Sequence, residues 1–336
     1  MKKFILACIV VNLTFALTAW AGNRAGQVTM EFDLSAQPSD QVVRLWVPYP
    51  VSSQDQIIRH IRLDGNPANT GVYTLPANGT PLLYAEWPAG SKSRKLTLAF
   101  EVARDELQRG VLPTKEPAWN STDYAEYLAP TSIGPTDGAV KDLADKIVAG
   151  KSTVLERTRA IYDWTVENMY RDPDTRGCGK GDVCYLLIKP GGKCTDISSV
   201  FVALCRAAGV PAREVFGLRL GKKAEQDITT WQHCWSEFFL PGYGWVPADP
   251  ADVLKAMLVE KLKLDSPRIV GLRDYFWGGI DAYRFQLASG RDLILNPAQA
   301  GEPLNTFGYP YAEVDGKALD FYDPKSFVYR FSFKEL

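Results

Sequence analysis

Gly191-Gly192-Lys193-Cys194-Thr195-Asp196 runs directly into Ile197-Ser198-Ser199-Val200-Phe201-Val202-Ala203-Leu204-Cys205. Ile197, Val200, Phe201, Leu204 and Ala208 recur at helical spacing, which predicts a helix over Thr195 to Ala208 with one apolar stripe. Gly209 and Pro211 mark its end. The two glycines ahead of it permit a tight turn that exposes backbone. Cys194 is thereby expected at a helix N-terminus, where unpaired N–H groups and the positive end of the helix dipole favour a thiolate and can hold an oxyanion. A buried structural thiol, or half of a disulfide, is the competing reading of such a cysteine taken alone.

Working outward, Gln232 to Leu240 reads as a strand rich in β-favouring aromatics. Alternation puts His233, Trp235 and Glu237 on one face and Cys234 and Ser236 on the other. Pro241-Gly242-Tyr243-Gly244 is a turn. Trp245 and Val246 then open a second strand, expected to pair with the histidine strand so that Asp249, near its end, faces His233. A thiol needs a base to take its proton, and that base needs an anion to orient it; this span offers all three in order. His60, the other histidine, sits in an ordinary apolar run and is read as a bystander.

Four pieces carry a family pattern: Gly192-x-Cys194; Leu204-Cys205-Arg206-Ala207-Ala208-Gly209-Val210-Pro211-Ala212-Arg213; His233-x-Trp235-x-Glu237; and Trp245-x-x-x-Asp249-Pro250. In this order they resemble the transglutaminase-like superfamily, whose core is papain-like. The resemblance covers the middle third of the chain. It implies an α+β fold with the cysteine helix packed on an antiparallel sheet carrying the other two residues. It also implies Cys194 as nucleophile, His233 as general base and acid, and Asp249 as the orienting anion. Tyr170, in Asn168-Met169-Tyr170, lies where relatives often carry an aromatic donor and is a candidate second oxyanion donor beside the Cys194 N–H; a core tyrosine at a helix end is the alternative. The histidine follows the cysteine by 39 positions and the aspartate by another 16, unlike proteases of the papain type, whose histidine lies far downstream. Animal relatives need calcium, but no Asp-x-Asp-x-Asp-Gly loop occurs here, so no calcium, other metal or cofactor is expected.

The flanks suggest the remaining organisation. Met1-Lys2-Lys3, an apolar run to Ala19 and Ala19-Trp20-Ala21 form a secretory signal peptide, residues 1–21, which predicts a periplasmic or secreted protein. Its loss removes two lysines and no acid from a chain of net charge −1, which leaves no basic footprint for nucleic acid. No later apolar run reaches membrane length. Residues 22–106 alternate in short runs, the pattern of an all-β sandwich-like domain. Proline-rich residues 107–136 read as a linker. Residues 137–264 hold helices at Val140 to Val148 and Val154 to Met169, the cysteine helix, and a helix at Val253 to Leu264. Residues 265–336 are assigned as a β extension of the core.

After signal removal the cysteines are Cys178, Cys184, Cys194, Cys205 and Cys234, an odd number, so at least one thiol stays unpaired. Cys178 and Cys184 flank a glycine-rich loop and are read as a small disulfide ring rather than a zinc site, which would need further ligands. Aromatic runs are usually core, though some of Trp119, Tyr124, Tyr127, Trp231 and the run Tyr275-Phe276-Trp277 are candidates to line a groove. The combined expectation is an exported cysteine enzyme acting on amide or peptide bonds of a protein or peptide substrate, with cell-envelope proteins among the candidates, through a thioester. Hydrolysis is favoured slightly. A protein-crosslinking transamidase and a non-enzymatic envelope-binding module are the alternatives.

Overall fold

The computed structural model describes residues 24–323 and 325–336; the expected signal peptide lies outside them. Six helices and three principal sheets form two hydrophobic cores. One core belongs to a sandwich of two five-stranded antiparallel sheets. The first sheet runs Glu225–Asp227, Val328–Glu335, Arg24–Asp33, Lys95–Arg104 and Gln56–Gly65. The second runs Lys317–Ala318, Tyr311–Val314, Val43–Pro48, Pro81–Trp87 and Asn69–Thr74. Val28, Met30 and Phe32 alternate with outward residues along the first strand and are buried, as a period of two dictates.

The C-terminal residues depart from the assignment of 265–336 to the core sheet. Arg284–Ser289 does extend that sheet, but Tyr311–Val314 and Val328–Glu335 cross to the sandwich and pair with Val43–Pro48 and Arg24–Asp33. An alternating strand states which face is buried and not which edge it joins.

The second core gathers the helices around α4 (Cys194–Ala207). α1 (Gly138–Ile147), α2 (Val154–Asn168), α3 (Val183–Ile188) and α5 (Pro250–Glu260) contact it on one side. On the other it meets the sheet Gly244–Ala248, Gln232–Leu240, Ala212–Arg219, Arg284–Ser289. α6 (Pro267–Tyr275) follows α5. α2 begins in a capping box between Thr153 and Glu156. α4 is buried on every face, not along one stripe. Several of its polar groups are bonded: the Ser199 hydroxyl donates to the Thr195 carbonyl, the Thr195 hydroxyl lies 3.2 Å from the Cys234 sulfur, and Arg206 donates to the Ala212 and Ala129 carbonyls.

The start of α4 is held by Asp196. Its carboxylate accepts from the Lys193 N–H at 3.0 Å and the Gly181 N–H at 2.8 Å, tying the loop before α3 to the helix end. Gly192 is required by proximity rather than by a turn: a Cβ there would lie 2.4 Å from the Asp196 Cβ. Asp196→Ala strands two buried donors, so a loss of at least about 2 kcal/mol is expected. A lower denaturation midpoint at unchanged denaturant slope is the readout; a midpoint equal to wild type would refute the role.

Candidate active site

Three elements converge at one end of the core sheet. Cys194 is the first residue of α4, His233 the second of its strand, and Asp249 the N-cap of α5. All three are buried, Asp249 completely. The Gly244–Ala248 strand pairs antiparallel with the histidine strand, and Asp249 follows it directly. His233 Nε2 lies 2.8 Å from Asp249 Oδ2, while Asp249 Oδ1 caps α5 by accepting from the Asp252 N–H at 3.0 Å. With Nε2 committed to the carboxylate, Nδ1 is the ring nitrogen left for the Cys194 thiol.

Cys194 has two thiol neighbours. The sulfurs of Cys178, Cys194 and Cys234 lie within 4.8 Å of one another. Cys178 contributes most to holding the Cys194 thiol well below its usual range; Cys234 and His233 add to this and together they outweigh burial. Donation toward Cys194 pushes the Cys178 thiol up, and Cys178, then Cys194 and burial, push the Cys234 thiol up. The Cys178 carbonyl also accepts from the Thr195 N–H at 2.9 Å, and the Cys178 sulfur lies 3.2 Å from the Tyr309 hydroxyl, which fixes the loop. This corrects the expected Cys178–Cys184 disulfide: both are free thiols, Cys178 buried beside Cys194 and Cys184 exposed on α3. Three clustered sulfurs suit a soft cation. Cys178→Ala removes the principal donor to Cys194, so the pH profile of Cys194 alkylation is expected to move upward; an unmoved profile would assign the lowering to Cys234 and His233.

Arg284 is the residue that sequence reasoning missed. It is fully buried and pairs with Asp249, Asp252 and Asp281. Burial favours losing its proton, but the three carboxylates outweigh burial and hold the guanidinium charged well above its usual range. Asp252, opposed by burial, is held well below the usual carboxylate range by Arg219, His233 and Arg284. His233, Asp249 and Asp252 have the donor types of a metal site, but Arg284 already supplies their positive charge. No sequence signal marks Arg284: Asp281 is its near neighbour, but Asp249 and Asp252 reach it from the start of α5, more than thirty positions earlier.

Tyr170 stands apart from this group. Its side chain is 56% exposed and its ring lies over Gly191, where a Cβ would approach within 2.3 Å. The parallel pairing of Tyr170–Arg171 with Gly191–Gly192 turns the next residue, Arg171, toward the cleft instead. That cleft encloses about 810 Å³ in front of Cys194 and His233, with Trp231, Tyr309, Phe321 and Tyr322 in its walls. Of the other aromatics considered for a groove, Tyr275 and Phe276 border a neighbouring cavity of about 410 Å³, while Trp277 stacks on Phe238 in the core. His60 is exposed against Glu101.

A sequence profile described as the transglutaminase-like superfamily matches residues 141–250, a span that contains Cys194, His233 and Asp249. An uncharacterised protein of Haemophilus influenzae is 37% identical over 92% of this chain and 91% of its own. The chain belongs to the transglutaminase-like superfamily. The superfamily match ends at the first residue of α5, so Arg284 and the cleft residues beyond it lie outside. A crystal structure of a candidate cysteine protease from Cytophaga hutchinsonii has the same fold, with a TM-score of 0.53 at 16% identity over 93% of this chain and 98% of that one. The periplasmic domain of TgpA from Pseudomonas aeruginosa is similar at 15% identity over 72% of this chain and 94% of its own, with a TM-score of 0.37. No helix among the described residues is long and apolar enough to cross a membrane.

Proposed function

We propose that this protein is an exported cysteine hydrolase that cleaves amide or peptide bonds, with Cys194 as nucleophile, His233 as acid and base, and Asp249 as the orienting anion. The observation that carries this reading is the 2.8 Å contact of His233 with buried Asp249, beside a helix-terminal thiol held well below its usual pKa. The Cys194 thiol gives its proton to His233 Nδ1, and its sulfur forms a bond to the substrate carbonyl carbon. The carbonyl oxygen becomes an oxyanion facing the N-terminus of α4. As the C–N bond breaks, Nδ1 returns the proton to the leaving nitrogen. Nδ1 then takes a proton from water, which attacks the thioester; the C–S bond breaks and the thiolate is restored.

Hydrolysis is favoured over transamidation by charge. The side chains of Arg171, Lys193, Lys222 and Lys255 border the cleft, and they disfavour entry of a lysine ammonium as acyl acceptor. Incubation with casein and a fluorescent primary amine separates the classes. Peptide release without amine incorporation is the expected outcome. Cys194-dependent amine incorporation would instead make the protein a crosslinking enzyme. Absence of both reactions across a broad panel, with retention of envelope material, would make it a binding module. Export rests on residues 1–21 and is tested by the N-terminus of the protein isolated from cells, expected at Gly22.

A further inference from the structure

Charge is distributed unevenly around the reacting thiol. The chain as a whole carries 38 basic and 39 acidic side chains. The cleft before Cys194 nevertheless holds six basic residues, Arg171, Arg176, Lys193, Arg219, Lys222 and Lys255, and among the described residues no aspartate or glutamate lines it. Two of the six are compensated: Arg176 pairs with Asp320 and Arg219 with Asp252. The other four have no carboxylate within 4.0 Å among the described residues. Lys255 is half-buried on α5. Burial, reinforced by Arg219 and Arg171, pushes its ammonium below the usual lysine range, while the charges of Asp252 and Cys194 oppose that shift. Acidic residues do reach the neighbouring cavity, where Asp252, Glu260 and Asp281 border the far side of Lys222 and Lys255. Positive charge is thus largely offset by carboxylates in that cavity and unopposed in the cleft that opens on the thiol.

We propose that this cleft selects acidic peptide segments, with carboxylate side chains flanking the amide that Cys194 attacks. The proposal rests on the hydrolase reading above. Uncompensated cations in a concave, partly desolvated site recognise anions, and a thiol nucleophile at the cleft floor requires that the anion also carry an acyl carbon. Aromatic walls at Trp231 and Tyr322 suit the methylene stems and backbone of such a segment.

The test uses three quenched fluorescent peptide libraries with the same randomised centre, flanked by Glu, Gln or Lys. The expected kcat/KM order is Glu over Gln over Lys, with at least about a tenfold step between Glu and Gln, about 1.4 kcal/mol. That step should shrink as salt is raised from about 25 mM to about 500 mM. Lys255→Glu, shown to be folded by its melting curve, should shrink the Glu-over-Gln step mainly through KM, since Arg171, Lys193 and Lys222 remain. Equal Cys194-dependent cleavage of all three libraries would overturn the proposal and leave the hydrolase reading intact. If nothing is cleaved, anisotropy with the Cys194→Ala protein decides: preferential binding of the Glu library upholds a basic cleft selective for acidic segments and removes the hydrolase, while equal binding removes both.

Discussion

Cys194→Ala is expected to reduce casein hydrolysis to background while leaving the melting temperature near that of wild type, because a single sulfur leaves a site already crowded by Cys178 and Cys234. In the companion variant Asp249→Asn the imidazole loses its counter-charge and the constraint on its tautomer, and a fall of several orders of magnitude in rate is expected, about 10⁴ where such a change has been made in a serine triad. Asp249 also caps α5 and faces Arg284, so the asparagine variant needs its fold checked by near-ultraviolet circular dichroism. Iodoacetamide at pH 6 provides an assay that requires no substrate: Cys194 should alkylate well below the ordinary thiol pKa of about 8.5. Uniform labelling of all five cysteines, or none at Cys194, would remove it as nucleophile.

Arg284→Met should cost about 3–5 kcal/mol of stability, the range found when one partner of a buried ion pair is removed. Three carboxylates, two of them in contact with His233, would then share the site without their cation. The wild type gives a matching pH signature. Asp252 and Asp281 have folded pKa values below their unfolded ones, Asp281 because Arg284 outweighs its burial. The unfolded chain therefore binds more protons as pH falls through about 4, and the stability these groups supply, full above that pH, is lost below it. Arg284→Met should be less stable at neutral pH and should show a flatter acid limb. A melting temperature within 2 °C of wild type at pH 7 would sink the account.

What the sequence disclosed was local. The cysteine at a helix start, the histidine on its strand and the aspartate after the turn each announce themselves within ten residues, and their order carries the family pattern. α2 and the first strands of the sandwich were likewise written in periodicity and caps. The rest depends on partners far along the chain. Arg284 meets Asp249 across 35 positions, and Cys178 reaches the thiol of Cys194 only because Asp196 fastens its loop. The serines of α4 look like a solvated face in sequence; they are internal because Ser199 also receives Arg291, ninety-two positions away. Tyr170 is exposed beside Gly191, while its neighbour Arg171 borders the cleft, a difference that depends on pairing with Gly191–Gly192 rather than on local pattern.

The strand Val328–Glu335 lies beside Arg24–Asp33, with Gly26 opposite Glu335. Arg24–Asp33 finds one neighbour nearby in sequence, Lys95–Arg104, but its other edge stays open until Val328–Glu335 is in place. Until then that strand and Val43–Pro48, whose partner Tyr311–Val314 also arrives late, present open edges that invite pairing with other chains. Premature termination, or nicking near the carboxyl end, leaves the catalytic helices present but the sandwich unclosed. The carboxyl-terminal strands thus act as the clasp of the sandwich, and limited proteolysis there is expected to release it before the helical core.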